Sequence, residues 1–223
     1  MEKLLSTKIL TEASRQLLKN AGVELIEFDF IKTEKIDFDS SELPEKINYA
    51  IFTSAHAVQY FLDLNLRLEI EMIAAMSGKT KDVLVQNEMK VNVSDNNAEK
   101  LAELILKTKK LKQVHFFCGE QRLSHLKNAL NKSGVLVNEH ILYSTILTPH
   151  KIESANELEG ILFFSPTGVE SFFSLNKISP MTKCFCLGDT TKKKLNELGI
   201  KNVYTPEKPS EKLLVEMAVN FQS

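Results

Sequence analysis

The stretch that decides the fold occurs twice, as IFTSAHAVQYFLDLN at Ile51–Asn65 and as LFFSPTGVESFFSLN at Leu162–Asn176. One numbering offset aligns the two copies and pairs Phe52 with Phe163, Ser54 with Ser165, Val58 with Val169 and Phe61 with Phe172. Two shorter pairs follow in the same order, SGKTKDVL with LGDTTKKKL and AEKLAELIL with SEKLLVEMAV. Three matches at nearly constant spacing indicate a duplicated unit of about half the chain, which is the size of one compact domain.

Short apolar runs alternate with amphipathic helical stretches along almost the whole chain, which is typical of an α/β fold with parallel sheets covered by helices. The predicted strands are KLLS, ELIEFDF, YAIFT, MIAAM, KVNVS, VHFFC, LVNEHILY, GILFFS, KCFCLG and NVYT. Capping residues mark several helix ends. Thr11, Asn97 and Ser210 are predicted to precede helices, Gly22 to close the first, and Gly134 to end a helix that opens near Arg122.

The repeated copies do not coincide with the halves of the chain, because a strand–helix–strand segment precedes the first copy. We therefore predict a discontinuous lobe one, residues 1–33 with 145–223, and a lobe two of residues 34–144. The polar stretches IKTEKIDFDSS and STILTPHKIES lack strong periodicity and are predicted to be the two linkers, with crossings near Lys32 and Thr145. Two similar lobes that face each other across a cleft are the expected arrangement.

Composition argues against several function classes. The 28 Lys and Arg residues nearly balance the 29 Asp and Glu residues, so no overall field favours nucleic acid or a membrane surface. The amino-terminal MEKLLSTKILTEASR is broken by charges every few residues, and about 18 consecutive apolar residues occur nowhere. A cytoplasmic protein is therefore predicted.

The cysteine, histidine and glycine patterns predict neither a metal nor a nucleotide. Cys118, Cys184 and Cys186 have no zinc-site spacing and are odd in number, so buried free thiols are expected. The five histidines are scattered and form no HExxH motif. The segment SGKT lacks the first glycine of a phosphate loop, because Ile73 stands there, and no GxGxxG follows the first strand.

Small and hydroxyl residues follow four predicted strands, directly before a helix. These turns contain Thr53 and Ser54; Gly119; Ser165, Thr167 and Gly168; and Thr190 and Thr191. Ligands of parallel sheets bind at the carboxyl ends of strands, where amides and helix dipoles attract anions. Any single turn can be explained by helix capping alone. Four together predict a small molecule with several negative charges.

The order of the motifs resembles the uroporphyrinogen-III synthase family over nearly the whole chain. The motifs are FTSAHAV at Phe52–Val58, MSGKTKDVL at Met76–Leu84, CGEQRLSHLKNALNKSG at Cys118–Gly134, LYST at Leu142–Thr145, FFSPTGV at Phe163–Val169 and LGDTTKKKL at Leu187–Leu195. Each motif is loose by itself, whereas their order and spacing are specific.

The resemblance implies two flavodoxin-like lobes with parallel sheets, joined by a two-stranded linker, and a lyase reaction without a cofactor or metal. Hydroxymethylbilane, a linear tetrapyrrole with eight carboxylates, would lose its terminal hydroxyl as water and cyclise with inversion of the last pyrrole ring. A monomer is expected, because the duplicated lobes already form the cleft within one chain, together with a transient hand-over of substrate from hydroxymethylbilane synthase. The alternative is a non-catalytic two-lobed protein that binds an anionic metabolite.

By resemblance, Tyr143 corresponds to the family tyrosine that helps the hydroxyl to leave; a tyrosine that only packs at the end of a strand is the alternative. The implied substrate-binding residues are Lys8, Thr53, Ser54, Gly119, Arg122, Ser165, Thr167, Gly168, Thr190 and Thr191. Lys8 stands where many relatives have arginine and could equally be a solvated lysine. Asp189 and Lys81 depart from the family pattern, which commonly has proline and threonine at these positions.

Overall fold

A computed structural model describes residues 2–108, 110–121 and 124–221. The helices are α1 (Glu12–Asn20), α2 (Ala55–Asp63), α3 (Lys79–Gln86), α4 (Ala98–Leu106), α5 (Ser124–Lys132), α6 (Pro166–Leu175), α7 (Asp189–Glu197) and α8 (Glu211–Asn220). The strands are β1 (Lys3–Ser6), β2 (Glu24–Glu27), β3 (Ile31–Lys35), β4 (Lys46–Phe52), β5 (Glu69–Met76), β6 (Val93–Asp95), β7 (Gln113–Gly119), β8 (Leu136–Leu147), β9 (Gly160–Phe163), β10 (Lys183–Cys186) and β11 (Val203–Tyr204).

The chain forms two compact units. Unit 1 contains residues 1–32 and 146–223, and unit 2 contains residues 33–145. The sheet of unit 1 has the order β2-β1-β9-β10-β11, and all of its strand pairs are parallel. In chain order this is 2-1-3-4-5, the flavodoxin-like arrangement. The predicted α/β class with two parallel sheets is confirmed.

The sheet of unit 2 has the same spatial order of strands, but the chain begins this sheet at a different strand. Its strands run β8-β7-β4-β5-β6, and β3 is added beside β8. Strands β4, β5 and β6 occupy the places of β9, β10 and β11, while β7 and β8 occupy those of β1 and β2. The repeated sequence therefore builds the same sheet twice. The first two strands of the sheet come from the start of the chain in unit 1 and from the end of the segment in unit 2.

Corresponding residues of the two sequence copies have corresponding positions in the structure. Ser54 and Ser165 are the N-caps of α2 and α6. Phe52 and Phe61 form an edge-to-face pair with ring centroids 5.3 Å apart, and their counterparts Phe163 and Phe172 form the same kind of pair at 5.6 Å. These aromatic pairs are buried beneath the helices that follow β4 and β9. The copies are thus similar because each must fill the same space between strand and helix.

The two predicted linker stretches contain strands, which agrees with the two-stranded linker that the resemblance implies, although β3 was not among the predicted strands. IKTEKIDFDSS contains β3 and a 3₁₀ turn at Ser40–Glu42, and STILTPHKIES begins inside β8. The amide of Ile36 donates to the carbonyl of Leu142, and that of Thr148 donates to the carbonyl of Phe30. Residue numbers rise along the segment of β3 while they fall along its partner β8, so the two are antiparallel. The strand β3 is only five residues long and none of its side chains is fully buried, so it carries little apolar signal in the sequence.

Most local sequence signals are confirmed. Asn97 accepts hydrogen bonds from the amides of Glu99 and Lys100, at 2.8 and 3.1 Å, and the predicted caps Thr11 and Ser210 also accept amide bonds at helix starts. Gly22 and Gly134 follow their helices with φ of 73° and 80°, which is the left-handed region that glycine tolerates best. Cys118, Cys184 and Cys186 are buried free thiols. None of the helices within the described ranges is long and apolar enough to span a membrane.

Two histidines on the neighbouring strands β7 and β8 of unit 2 contact each other. His115 Nδ1 and His140 Nε2 are 2.9 Å apart, and their rings stack at an angle of 7°. The ring of His140 also stacks on Phe117. Burial, and secondly the proximity of His115, lower the pKa of His140 to about 4; burial also lowers the pKa of His115. Both rings are therefore neutral in the folded protein near pH 7.

The histidine pair should make the chain sensitive to acid. Unfolded histidine has a pKa of about 6.5, so between about pH 4 and 6.5 the unfolded state binds more protons than the folded state. The stabilising effect is complete above pH 6.5 and is lost as the pH falls towards 4. We expect the free energy of unfolding, measured by urea titration, to fall by up to about 1.4 kcal/mol per pH unit and per proton in this window.

The substitution His140→Gln should flatten this slope, whereas His125→Gln, which changes an exposed histidine of the same unit, should leave it as in the parent chain. An unchanged slope in His140→Gln would contradict the assignment.

Candidate active site

The first candidate site lies at the switch point of the sheet in unit 2, where β4 and β7 are neighbours but are followed by connections in opposite directions. The carboxyl ends of such strands are the usual place for a ligand in a parallel sheet. Thr53 and Ser54 follow β4, and Gly119 ends β7. All three residues were predicted to bind substrate, and the topology brings them to one edge of the sheet.

Tyr143 reaches this edge through an irregularity in β8. Cys118 pairs with Ile141, but the next residue of β7, Gly119, pairs with Tyr143, so β8 holds one extra residue. As a result Leu142 and Tyr143 both pack against the core beneath α2 and α3, whereas Ile141 packs against the opposite core. Bulges of this kind redirect side chains near functional sites. The bulge turns the predicted catalytic tyrosine towards Ser54.

The ring of Tyr143 is held on several sides. Its hydroxyl is 2.8 Å from Ser54 Oγ. Its ring stacks on Tyr60, with centroids 5.5 Å apart, and contacts the edge of His56 at 5.9 Å. Gly119 has no side chain to keep the ring away: a Cβ there would lie 2.5 Å from Tyr143 Cζ. The phenol therefore has one defined place at the end of the sheet.

The electrostatic environment keeps this site uncharged near neutral pH. Burial raises the pKa of Tyr143, and the neighbouring Cys118 and Tyr60 add to the rise, while the hydrogen bond with Ser54 opposes it. Partial desolvation of the ring lowers the pKa of His56, and the positive charge of Lys79 lowers it further. A neutral phenol beside a neutral imidazole can donate and accept hydrogen bonds without carrying a charge.

Sequence reasoning assigned no role to His56 and Tyr60, although both belong to the repeated stretch. They are four residues apart on α2, so their rings lie on one face of the helix. Tyr60 Oη is 3.1 Å from both the hydroxyl and the carbonyl oxygen of Thr33 in β3. The spacing of aromatic residues behind the Ser54 cap was the available signal. It was not sufficient, because the same pattern also fits a helix that only packs on a sheet.

The second candidate site lies at the switch point of unit 1, between β1 and β9. Ser165 caps α6 and accepts a hydrogen bond of 3.0 Å from the amide of Gly168. A Cβ at Gly168 would lie 3.3 Å from Ser165 Oγ and 3.6 Å from Thr7 Oγ1, so the turn is closely packed. Thr167 is half-buried in this first turn of the helix. Thr7, which the sequence analysis did not single out, belongs to the same cluster.

The two threonines at the start of α7 differ in exposure. Thr190 is exposed, whereas Thr191 is 2% exposed and packs into the unit. Asp189 belongs to the same first turn, where a carboxylate interacts favourably with the helix dipole. The predicted pair of hydroxyls thus divides into one surface group and one core group.

Lys8 follows β1 and lies over the ring of Phe164, the residue before Ser165. Its ammonium is 2.7 Å from Glu211 and 4.9 Å from the centre of the Phe164 ring, and 40% of its side chain is exposed. It is therefore neither a free surface lysine nor a buried one. Arg122, the remaining predicted binding residue, lies outside the described residues.

The contact between Gly119 and Tyr143 gives a stability prediction. Gly119→Ala should destabilise the chain by about 1–3 kcal/mol, because the added methyl group must displace the ring. In a Tyr143→Ala background the same substitution should have little effect, because the obstructing ring is absent. Urea unfolding of the parent chain, the two single variants and the double variant measures the loss of stability in each background. An equal loss in the two backgrounds would show that another contact is responsible.

Comparison with known proteins agrees with the fold. The family described as uroporphyrinogen-III synthase HemD matches residues 12–216. A crystal structure of uroporphyrinogen-III synthetase from Helicobacter pylori has a TM-score of 0.70 at 19% identity, covering 99% of this chain and 100% of the other. A mutant uroporphyrinogen III synthase from the extremely thermophilic bacterium Thermus thermophilus has a TM-score of 0.65 at 16% identity, with both chains fully covered.

A search of curated protein sequences gives no significant match. At these identities the two crystal structures bear on the fold alone, and the assignment depends on the family match. That match starts at the first residue of α1 and ends within α8, so it includes most of both sheets and the strands β4, β7 and β9 at the switch points. The chain therefore belongs to the uroporphyrinogen-III synthase family.

Proposed function

We propose that the edge of unit 2 around Tyr143 assists the departure of the hydroxyl group when this chain converts hydroxymethylbilane into uroporphyrinogen III. The family makes the chain a lyase of tetrapyrrole biosynthesis. The proposal adds which residues act and how. The observation that carries it is the 2.8 Å hydrogen bond between Tyr143 and Ser54 at the switch point of the sheet.

The reaction does not require a strong acid from the protein. When the terminal hydroxyl leaves as water, the carbon that held it becomes an azafulvenium cation, which the attached pyrrole stabilises. A weak acid close to the departing oxygen is therefore enough. A phenol with a raised pKa fits this role, because it stays protonated near pH 7 and brings no negative charge to an octacarboxylate substrate.

The hydrogen-bond pattern supports a proton on Tyr143 that is available to a ligand. Ser54 Oγ accepts from the amides of His56 and Ala57, at 3.2 and 3.5 Å, which occupies both of its lone pairs. We therefore assign the Ser54 hydroxyl as the hydrogen-bond donor to Tyr143 Oη. The phenol O–H remains as a donor for the oxygen that leaves the substrate.

Positioning is the larger part of catalysis in this reaction. Without a protein, hydroxymethylbilane closes end to end and gives the unrotated type I isomer. The enzyme must bring the substituted carbon of the last ring closer to the azafulvenium carbon than the free end is. The protein can fix the substrate's conformation by binding its carboxylates, and we propose that the helix-start turns of both units bind them. These turns contain Thr53, Ser54 and Gly119 in unit 2, and Lys8, Ser165, Thr167, Gly168 and Thr190 in unit 1.

Helix starts suit carboxylates because their amides and dipoles are electropositive. We retain Thr191 as a residue that supports the α7 turn from the core, since its side chain is buried. We further propose that the chain acts as a monomer in the cytoplasm. It would receive hydroxymethylbilane directly from its synthase, because the free compound cyclises without an enzyme.

The activity is tested by product isomer analysis. Hydroxymethylbilane is generated in place from porphobilinogen and its deaminase, the protein is added, and the oxidised porphyrins are separated by chromatography. We expect mainly the type III isomer. Type I alone would reject the proposal and favour a protein that binds an anionic metabolite without catalysis.

The role of Tyr143 is tested by Tyr143→Phe, which removes only the hydroxyl. We expect kcat to fall by roughly 10²-fold with little change in KM, because a proton donor acts in the transition state. Tyr204→Phe is the matched control; this ring of unit 1 packs against Phe221, and its loss of a hydroxyl should leave kcat unchanged. Unchanged turnover in Tyr143→Phe would remove Tyr143 from the chemistry.

A further inference from the structure

The loop after β1 directs three successive backbone amides towards the protein's own carboxylates. Each 2.9 Å bond involves a different side chain: the amide of Ile9 donates to Asp29, that of Leu10 to Glu27 and that of Thr11 to Glu211. In a flavodoxin-like sheet this loop adjoins the switch point, where amides commonly receive the anionic group of a ligand. In this chain those three donors are already engaged.

Glu211 makes the largest number of these contacts. One oxygen accepts from Thr11 N, Thr11 Oγ1 and Ser14 Oγ, at 2.9, 2.6 and 2.8 Å, and the other is 2.7 Å from Lys8 Nζ. Burial alone would raise the pKa of Glu211, but the hydrogen bonds from Lys8, Thr11 and Ser14 outweigh it and lower the pKa to about 2. The carboxylate, with 15% of its side chain exposed, is thus a fixed negative charge at the start of both α1 and α8.

Two contacts restrain the ammonium of Lys8. Glu211 binds it from the side of α8, and the ring of Phe164 lies beneath it at 4.9 Å. Phe164 directly precedes Ser165, the cap of the proposed binding turn. A lysine side chain normally samples many rotamers, and a ligand that must order it loses affinity. These contacts order it before any ligand arrives, with 40% of the side chain still exposed.

We propose that Glu211 is a positioning residue that holds Lys8 over Phe164, where its ammonium receives one carboxylate of the tetrapyrrole substrate. The inference rests on the proposed function and adds a specific donor for the unit 1 site. The amides of Ile9, Leu10 and Thr11 are engaged by carboxylates, so the ammonium is the cationic donor that this loop directs to the switch point. The neighbouring Arg15 is paired with Glu27 and Glu12 instead.

A double-mutant cycle tests the proposal. The four proteins are the parent chain, Glu211→Gln, Lys8→Met and the double variant, and the measured quantity is KM for hydroxymethylbilane. Glu211→Gln keeps acceptor oxygen and shape but removes the charge that holds the ammonium. We expect it to raise KM about fivefold with kcat retained, and to have no further effect once Lys8 is absent, because coupled residues are not additive.

Two outcomes of this kinetic cycle would overturn the proposal. An equal rise in KM with and without Lys8 would mean that Glu211 supports only the loop. A fall in KM in Glu211→Gln would mean that Glu211 competes with the substrate for the ammonium. Glu12→Gln is the matched control: its carboxylate is 83% exposed and pairs with Arg15 at the same end of α1, and KM should not change.

A binding measurement separates this inference from the proposed function. The same four proteins are titrated with uroporphyrin III, a stable octacarboxylate tetrapyrrole, and its fluorescence is followed. If the parent chain yields only the type I isomer, the proposed function fails, but coupling between Glu211 and Lys8 in the dissociation constant would still support the positioning role. Independent effects on binding, or no binding by the parent chain, would reject it.

Discussion

The structure depends on the need of a parallel sheet to be covered on both faces. Its central strands are apolar on both sides, so helices must pack against each face, and most strands are followed by a helix that starts at the same edge. Helix starts, with their unpaired amides and positive dipole ends, are therefore gathered at the carboxyl edge of each sheet. The duplicated sequence satisfies this requirement twice, and in doing so creates two edges suited to carboxylates.

The carboxyl edges of the two sheets share one topology but carry different side chains. In unit 2 the cap Ser54 meets a tyrosine that a bulge has turned towards it, and a glycine leaves room for the ring. In unit 1 the equivalent cap Ser165 follows Phe164, and over the ring of Phe164 lies a lysine that the carboxylate of Glu211 restrains. One edge thus presents a neutral phenol and the other a restrained ammonium, which are the two kinds of group that the proposed function uses.

Sequence reasoning worked best where the physics is local. Helix caps and helix-ending glycines depend on neighbours a few residues away, and Thr11 and Gly134 were placed correctly for that reason. It did not predict β3 as a strand, because the pairing of β3 with β8 is a contact between distant segments and leaves little trace in either one. The partners of Tyr143 and Lys8 were missed for the same reason: Tyr60 and Glu211 look like ordinary helix residues until the fold brings them together.

The amino-acid sequence by itself determined the duplication, the α/β class, the hydroxyl-rich turns and the resemblance to a family, because each of these is a pattern along the chain. Only the tertiary structure decided that the two copies enter their sheets at different strands, that Leu142 and Tyr143 face one core, and that Glu211 meets Lys8 from the far end of the chain. Such features arise from register and close packing between segments far apart in sequence. The free energy of those contacts belongs to pairs of segments, so no single stretch of sequence can encode it alone.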